Sequence, residues 1–266
     1  MNTRRIILPG VLAVFVCLVV GQSARADALD EIRQAKRIRV AVDLGLPPYS
    51  MTDDKMQPTG SDIETARLLA RDFGVELELV PTIAASRIPM LQTGKADLVI
   101  ATLSISPERA QVIDFSVPYA TLRTVIAGIR SIKVDTVADL AGKTVGVTRG
   151  TGNDRYLSEN AKNTNVVRYE DDATTAQAFA SGQVDLIATA ELLVPPIALK
   201  NPSRELEIKY MIQAYKLAIG VKKGEMRLLQ EVDRWVRTNL KNGELNEIYK
   251  RFHGNDLPES ILKEGE

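Results

Sequence analysis

A short stretch in the first half of the chain combines hydroxyl side chains with one arginine. Residues 104–109 read Ser-Ile-Ser-Pro-Glu-Arg and follow residues 98–101, an apolar run of strand length. A planar guanidinium can donate two hydrogen bonds to one carboxylate, and hydroxyl groups can add further donors. Thr102 and Ser104 alternate with apolar residues, so in a strand both hydroxyls would share one face. The segment predicts a carboxylate receptor in which Arg109 carries the charge; the alternative is that these are ordinary polar residues at a strand end.

A second loop offers backbone donors. Residues 150–153 read Gly-Thr-Gly-Asn and follow residues 144–148, which have the composition of a strand. Free backbone N–H groups at the start of a helix carry partial positive charge and suit an anion. The loop lacks the lysine and hydroxyl spacing of a Walker loop. Taken alone, it is a candidate anion site or an ordinary turn.

The sequence lacks the usual parts of a nucleophilic or zinc active site. Its one histidine, His253, lies near the C-terminus and is predicted to be a surface residue, and its one cysteine is Cys17. Zinc sites and Ser-His or Cys-His pairs need more such side chains. The acidic run at residues 170–172 is predicted to be a solvated loop. No catalytic residue, metal site or cofactor is predicted, although lysine-based or carboxylate-only chemistry stays open.

These residues need a framework of alternating strands and helices. Apolar runs of strand length alternate with amphipathic stretches of helix length, a pattern typical of α/β proteins. The first strand is expected at residues 38–42. Ser61, followed three residues later by Glu64, predicts a capping box for a helix that ends near Gly74.

The chain also contains one local sequence pattern twice, which we call the internal repeat. Residues 93–102 and 181–189 share one pattern: a helix that closes on glycine, a short turn, and an apolar strand that ends at a hydroxyl. A common turn that recurs by chance would give the same pattern. The other interpretation is two lobes with a shared plan.

The N-terminal 26 residues have the pattern of a secretory signal. Arg4 and Arg5 precede an apolar stretch at residues 6–20, and small residues favour cleavage after Ala26. The apolar stretch is shorter than the roughly 20 residues that a spanning helix needs. Export to the periplasm is therefore favoured over a retained membrane segment.

The predicted mature chain is weakly acidic and has no cysteine. Beyond residue 26, 31 basic residues face 34 acidic ones, a net charge of −3. This balance favours neither nucleic acid nor anionic lipid as a partner. The lack of cysteine excludes a disulfide in the mature chain.

The order and spacing of these segments resemble the bacterial extracellular solute-binding proteins that capture polar amino acids for ABC importers, over residues 38–254. The resemblance implies a two-lobed periplasmic-binding-protein (Venus-flytrap) fold with two crossover hinge strands, near residues 123–129 and 216–221. Lobe 1 would comprise residues 27–122 and 216–266, and lobe 2 residues 123–215. The expected protein is a monomer that closes on a small amino acid or related carboxylate and then docks on an ABC permease in the inner membrane.

The resemblance also assigns roles to several residues. Arg109 would bind the ligand's α-carboxylate, Thr102 and Ser104 would bind its carboxylate and amino groups, and Thr151 and Gly152 would be the clamp of the second lobe. The alternatives are a periplasmic lyase similar to cyclohexadienyl dehydratases on the same scaffold, and a binder of carboxylates that are not amino acids.

The sequence departs from its relatives at the ammonium position. The family usually has an aspartate where this chain has Ala190, and Glu191 comes next. Either Glu191 supplies the counter-charge or the ligand lacks an α-ammonium group. A glutamate at this place could equally be a helix-cap residue.

The side-chain end of the expected pocket also differs from that of the family. Leu46, Ser61 and Ala84 stand where the family has aromatic residues, which leaves Asp43 and Arg87 as candidate ligand contacts. Arg87 matches an arginine that contacts the side-chain carboxylate in binders of acidic amino acids, but those binders have a further arginine in place of Asp43. The two could instead neutralise each other. A polar or charged ligand side chain is favoured over an aromatic one.

Overall fold

A computed structural model describes residues 27–266, and the predicted signal peptide with its cleavage site lies outside the described residues. The described part is an α/β structure, as the alternating pattern predicts. Its strands are β1 (Arg37–Val42), β2 (Met51–Thr52), β3 (Pro58–Thr59), β4 (Glu76–Pro81), β5 (Leu98–Val99), β6 (Ile113–Ile129), β7 (Thr144–Thr148), β8 (Asn165–Tyr169), β9 (Leu186–Ala190) and β10 (Leu206–Lys222).

Helices cover both faces of these strands or extend from their ends. They are α1 (Ala28–Ala35), α2 (Ser61–Phe73), α3 (Arg87–Gln92), α4 (Pro107–Val112), α5 (Gly152–Asn160), α6 (Asp172–Ala180), α7 (Val194–Lys200), α8 (Met226–Lys241), α9 (Glu244–His253) and α10 (Glu259–Leu262). Within residues 27–266, none of these helices is both long enough and apolar enough to cross a membrane.

Eight strands form one sheet in the order β4-β1-β5-β10-β6-β9-β7-β8. Strands β4, β1 and β5 run parallel at one end and define lobe 1, and β9, β7 and β8 run parallel at the other end and define lobe 2. The central pair, β6 and β10, is antiparallel and joins the two ends, because β10 pairs with β5 and β6 pairs with β9. The structure therefore has two lobes linked by two crossover strands. The predicted crossing segments lie inside these longer strands, and the lobe boundaries at 122/123 and 215/216 stay a prediction.

The internal repeat corresponds to the same structural unit in both lobes. Gly94 and Gly182 both have a left-handed backbone, with φ of +69° and +78°. In each case the next amide, of Lys95 or Gln183, donates to a carbonyl in the preceding helix, which is the usual way of ending a helix on glycine. The strand that follows pairs in parallel with β1 in lobe 1 and with β7 in lobe 2. Each lobe thus directs the end of one buried strand toward the space between the lobes.

Two sequence predictions about the start of α2 and the C-terminal tail are wrong. Gly60, and not Ser61, is the N-cap residue of α2, and no side chain caps that end. The Ser61 Oγ instead lies 3.0 Å from Nε2 of His253, and the imidazole stacks on Tyr249 with ring centroids 3.9 Å apart. Burial lowers the pKa of His253 to about 4, so the ring is neutral at pH 7. His253 therefore helps to attach α9 to α2 and is not a free surface residue.

Candidate ligand-binding cleft

A small cavity of about 40 Å³ lies between the two lobes. Lobe 1 lines it with Asp43, Leu46, Ala84, Arg87, Thr102 and Ser104; lobe 2 with Thr151, Gly152, Asn153, Asp172 and Ala190; the crossover strands with Leu122, Thr124 and Tyr215. Six of the eight residues that the sequence suggests are in this lining: Asp43, Arg87, Thr102, Ser104, Thr151 and Gly152.

Arg109 lies beside the cavity and connects the lobes. Its Nη1 donates to the carbonyl oxygen of Ser104 at 2.7 Å and to the Ser104 Oγ at 2.6 Å. Its Nη2 donates to the carbonyl oxygen of Gly150 in lobe 2 at 2.9 Å. Burial and, secondarily, the nearby Arg87 lower the pKa of Arg109 to about 9, and the guanidinium stays charged at neutral pH. An anion bound at this place would relieve both unfavourable effects.

Arg87 begins α3 and is buried, with 4% of its surface exposed. Its Nε donates to the carbonyl oxygen of Ala84 at 3.0 Å, and its Nη1 donates to that of Ala101 at 2.7 Å. Burial lowers the pKa of Arg87, and Asp43 is the charge that opposes this effect most strongly. Asp43 itself accepts a hydrogen bond from the Gly45 amide at 3.1 Å. The two charges therefore compensate each other at a distance, within one wall of the cavity.

The predicted alternation of Thr102 and Ser104 along one strand is wrong. Strand β5 ends at Val99, and Thr102 has a left-handed backbone with φ of +47°, which is uncommon for a residue with a side chain. The Thr102 hydroxyl donates to the carbonyl oxygen of Ala101 at 2.8 Å. The Thr102 amide donates to Oδ2 of Asp62 at 2.8 Å. This buried hydrogen bond, and not strand geometry, fixes the position of Thr102 at the cavity.

Asp62 is a functional candidate that the sequence analysis missed. It is fully buried in α2, and its Oδ1 accepts a hydrogen bond from the Tyr119 hydroxyl at 2.8 Å. Burial raises the pKa of Asp62 to about 7, although the hydrogen bonds from Tyr119 and Thr102 oppose the shift. In the sequence Asp62 is an ordinary acidic residue in the first turn of a helix, so only the folded structure reveals that it supports the cavity wall.

The loop at residues 150–153 of lobe 2 forms the start of α5 and packs closely against Tyr215. Thr151 is the N-cap residue of α5, and its Oγ1 accepts a hydrogen bond from the Asp154 amide at 3.2 Å. Gly152 lies against the Tyr215 ring, so close that an added Cβ would come within 2.8 Å of the ring. The Tyr215 hydroxyl donates to the carbonyl oxygen of Gly152 at 3.0 Å. The crossover strand β10 therefore holds this loop in place at the cavity.

Gly150 lies close to lobe 1. It has a left-handed backbone with φ of +74°, and an added Cβ would lie 2.9 Å from the Cα of Ala85 in lobe 1. A second contact joins the lobes at the surface, where Arg155 Nη1 lies 3.1 Å from Glu108 Oε2. With the Arg109 bond to Gly150, these contacts identify the conformation as a closed one.

The prediction that Asp172 lies in a solvated loop is wrong. Asp171 is the N-cap residue of α6, and its side chain accepts from the Thr174 amide. This places Asp172 in the first turn with its carboxylate toward the cavity, where Oδ1 accepts a hydrogen bond from the Thr148 hydroxyl at 2.6 Å. Burial raises the pKa of Asp172 to about 6.

Glu191 does not lie in the cavity wall. It follows β9 in a short 3-10 turn (Glu191–Leu193), and its Oε2 is 2.7 Å from Nε of Arg123. Ala190 lines the cavity in its place and is 4% exposed. The ion pair with Arg123 gives Glu191 a partner outside the cavity, so the structure gives no support to its predicted role as a counter-charge.

Residues 38–255 match the family model of bacterial extracellular solute-binding proteins, family 3. The chain belongs to this family, as the resemblance in the sequence predicts, and it is a solute-binding protein. The match covers both lobes and both crossover strands, so the whole cavity lies within it.

Relatives and solved structures agree with this assignment. The chain is 30% identical over 261 residues to the L-cystine-binding protein TcyJ of Escherichia coli strain K12, covering 94% of this chain and 96% of the relative. The P235GK mutant of ArgBP from T. maritima has a TM-score of 0.79 and 28% identity, covering 86% of this chain and 100% of that one. The solute receptor for L-cysteine of Neisseria gonorrhoeae has a TM-score of 0.79 and 27% identity, with 89% and 98% covered.

Proposed function

We propose that this chain is the periplasmic receptor of an ABC importer, that it acts as a monomer, and that it binds a polar or charged amino acid by closing its two lobes. The observation that carries the proposal is the cavity between the lobes, which residues of both lobes line and which lies beside the half-buried guanidinium of Arg109. The relatives named for L-cystine, L-cysteine and arginine support an amino acid as the ligand.

The proposed roles follow from the geometry of the cleft. Arg109, held by Ser104, would bind the α-carboxylate from lobe 1, and the backbone at Thr151 and Gly152 would meet the same group from lobe 2. Because Arg109 also donates to Gly150 across the cleft, one guanidinium serves both the ligand and the closed state. A ligand that touches both lobes stabilises the closed state, since only there can it make all its contacts. The closed form would then present a single surface to a membrane permease.

The test is a thermal-shift screen of the purified mature protein with the twenty standard amino acids and L-cystine. Binding to the folded state raises the melting temperature when the ligand exceeds its dissociation constant. We expect at least one polar or charged amino acid to raise it by several degrees, and isothermal titration calorimetry to give one site per chain. A screen in which no amino acid changes the melting temperature would contradict the proposal.

A second set of compounds tests the binding of carboxylates that are not amino acids. Ala190 lines the cavity, and the family that the sequence resembles usually has an ammonium-binding aspartate at this position. The alanine is the observation that favours this second candidate. The 2-hydroxy and 2-keto analogues of the best amino acid lack the ammonium group and are its matched controls. We expect them to bind more weakly than the amino acid, and a preference for the analogues would select the second candidate.

A further inference from the structure

The two walls of the cavity differ in charge. Lobe 1 contributes both an aspartate and an arginine, whereas Asp172 is the only charged residue that lobe 2 contributes to the lining, within the part of the chain that the structure describes. On lobe 1, Asp43 and Arg87 compensate each other, and Asp43 is the strongest of the carboxylates that act on Arg87. The lining therefore has one carboxylate without a cation of its own.

Among residues 27–266, Asp172 forms no ion pair, and Arg87 acts on it only at a distance. Its hydrogen-bond donor is the neutral hydroxyl of Thr148, which also lies 2.9 Å from the hydroxyl of Thr175. Nearby on the same wall, Asn153 is 6% exposed and its Oδ1 is a buried acceptor without a hydrogen-bond partner among residues 27–266. A buried acceptor without a donor costs free energy. Lobe 2 thus faces the cavity with two acceptors that need a donor, and one of them carries a negative charge.

Asp172 lies where the cavity meets a second, more open groove, because it lines both of them. This groove has a volume of about 380 Å³. Arg109 does not line the groove, and its guanidinium bonds to Ser104 and Gly150 instead. A ligand whose carboxylate is bound at Arg109 would therefore extend its side chain toward Asp172.

We propose that Asp172, assisted by Asn153, binds a positively charged group at the far end of the ligand's side chain, so that the preferred ligand is an amino acid with a second cationic group. This specificity rests on the proposed amino-acid receptor function. Arginine, lysine and L-cystine carry such a group, whereas glutamine and norleucine do not. In this role Asp172 also gives lobe 2 a charged contact with the ligand, which stabilises the closed state.

The experiment compares matched ligands on matched variants. Calorimetry at pH 7.5 would measure the dissociation constants of L-arginine against L-citrulline, L-lysine against L-norleucine, and L-cystine against S-methyl-L-cysteine. The test variant is Asp172→Asn, which keeps an oxygen for the Thr148 hydroxyl while it removes the charge. The control is Asp171→Asn, the same change one residue earlier, because asparagine is as good an N-cap residue as aspartate. Melting temperatures without ligand show that both variants are folded.

We expect the wild-type protein to bind a cationic ligand at least tenfold more tightly than its neutral partner. Asp172→Asn should weaken the cationic ligand by about 10- to 100-fold, the range of one charge-assisted hydrogen bond, and leave the neutral ligand unchanged. Asp171→Asn should change neither. Equal weakening of both members of a pair, an unchanged affinity in Asp172→Asn, or a wild-type preference for neutral ligands would each overturn the inference. If the wild type binds no amino acid at all, the proposed function fails instead.

Discussion

The two walls of the cleft are built in different ways. On lobe 1, internal hydrogen bonds hold the polar groups before any ligand arrives: Asp62 holds the Thr102 amide, and Ser104 holds Arg109. On lobe 2, the side chains of Asn153 and Asp172 line the cavity, and the Asn153 Oδ1 has no hydrogen-bond partner among residues 27–266. We therefore expect the ligand to bind first to the rigid site on lobe 1, and lobe 2 to close over it.

The free energy of closure shows how many contacts lobe 2 must make with the ligand. To change an equilibrium from mostly open to mostly closed, the ligand must prefer the closed state by about 5.5 kcal/mol. Hydrogen bonds to charged groups contribute about 1.5–3 kcal/mol each. About two to four such contacts with lobe 2 would suffice, so single changes on either wall should have distinct and measurable effects.

The largest effect is expected when the charge on the lobe 1 wall is removed. Arg109→Ala should weaken amino-acid binding by more than about 1,000-fold, because a buried carboxylate would lose its charged donors. The unliganded protein should keep its circular dichroism spectrum and unfold cooperatively. Arg149→Ala, at an exposed arginine next to Gly150, is the control and should bind normally. Calorimetry measures both, and normal binding by Arg109→Ala would contradict the site assignment.

The support behind the lobe 1 wall should matter next. Asp62→Ala leaves the Tyr119 hydroxyl and the Thr102 amide buried without an acceptor, which should lower the free energy of unfolding by about 2–4 kcal/mol. Ligand affinity should also fall, by about tenfold, because Thr102 loses the bond that holds its left-handed backbone. Tyr119→Phe is the comparison, since it leaves the Thr102 bond intact and should spare affinity. Urea unfolding and calorimetry measure the two effects, and equal affinity losses in the two variants would refute this role of Asp62.

Closure itself can be tested on lobe 2. Gly150→Ala places a Cβ within 2.9 Å of the Ala85 backbone and strains a residue with φ of +74°, so the closed state should become inaccessible and affinity should fall by about 10- to 50-fold. Gly142→Ala is a matched control, because Gly142 has φ of +73° but nothing within 4 Å of the added Cβ. Small-angle X-ray scattering with ligand should show that only Gly150→Ala stays open. Compaction of both variants to the same degree would show that this contact does not limit closure.

The smallest effect concerns the stability of the unliganded protein. The raised pKa of Asp172, about 6, means that its ionised form destabilises the folded state. This cost is fully present above pH 6, shrinks as the pH falls through 6 toward the unfolded value near 4, and is absent below it. Asp172→Asn should therefore raise the free energy of unfolding by about 1–2 kcal/mol at pH 7.5 and by nothing near pH 4.

The charged neighbours of Asp172 also contribute to the pH dependence of stability. Asp43, Arg87 and Asp171 face it, and Asp62 also titrates near neutral pH. For this reason the quantity to compare is the difference between wild type and Asp172→Asn across the pH range, from urea unfolding. A difference that does not depend on pH would show that the gain comes from packing and not from the charge.

Local patterns predicted much of this protein. The α/β class, the strand at residues 144–148, the end of α2 at Gly74 and the repeated helix-glycine-strand unit all follow from apolar periodicity and glycine placement, and the structure contains each of them. These features depend on residues that are close in sequence. The family was also recognisable, because the spacing of the motif that ends at Arg109 is itself local.

Other features depended on residues that are distant in the chain. Ser61 bonds to His253, 192 residues away, instead of capping its own helix, and Thr102 is held by Asp62, 40 residues before it. Asp172 lines the cavity and is not in a solvated loop, because Asp171 caps α6, whereas Glu191 pairs with Arg123 outside the cavity.

The sequence by itself determined the α/β class, the helix-glycine-strand units and the family, since these depend mostly on side-chain type and local spacing. Only the tertiary structure decided which carboxylates line the cavity. The free energy of a charged group depends on its burial and on its partners, and both are set by packing between segments that the sequence separates by tens to hundreds of residues.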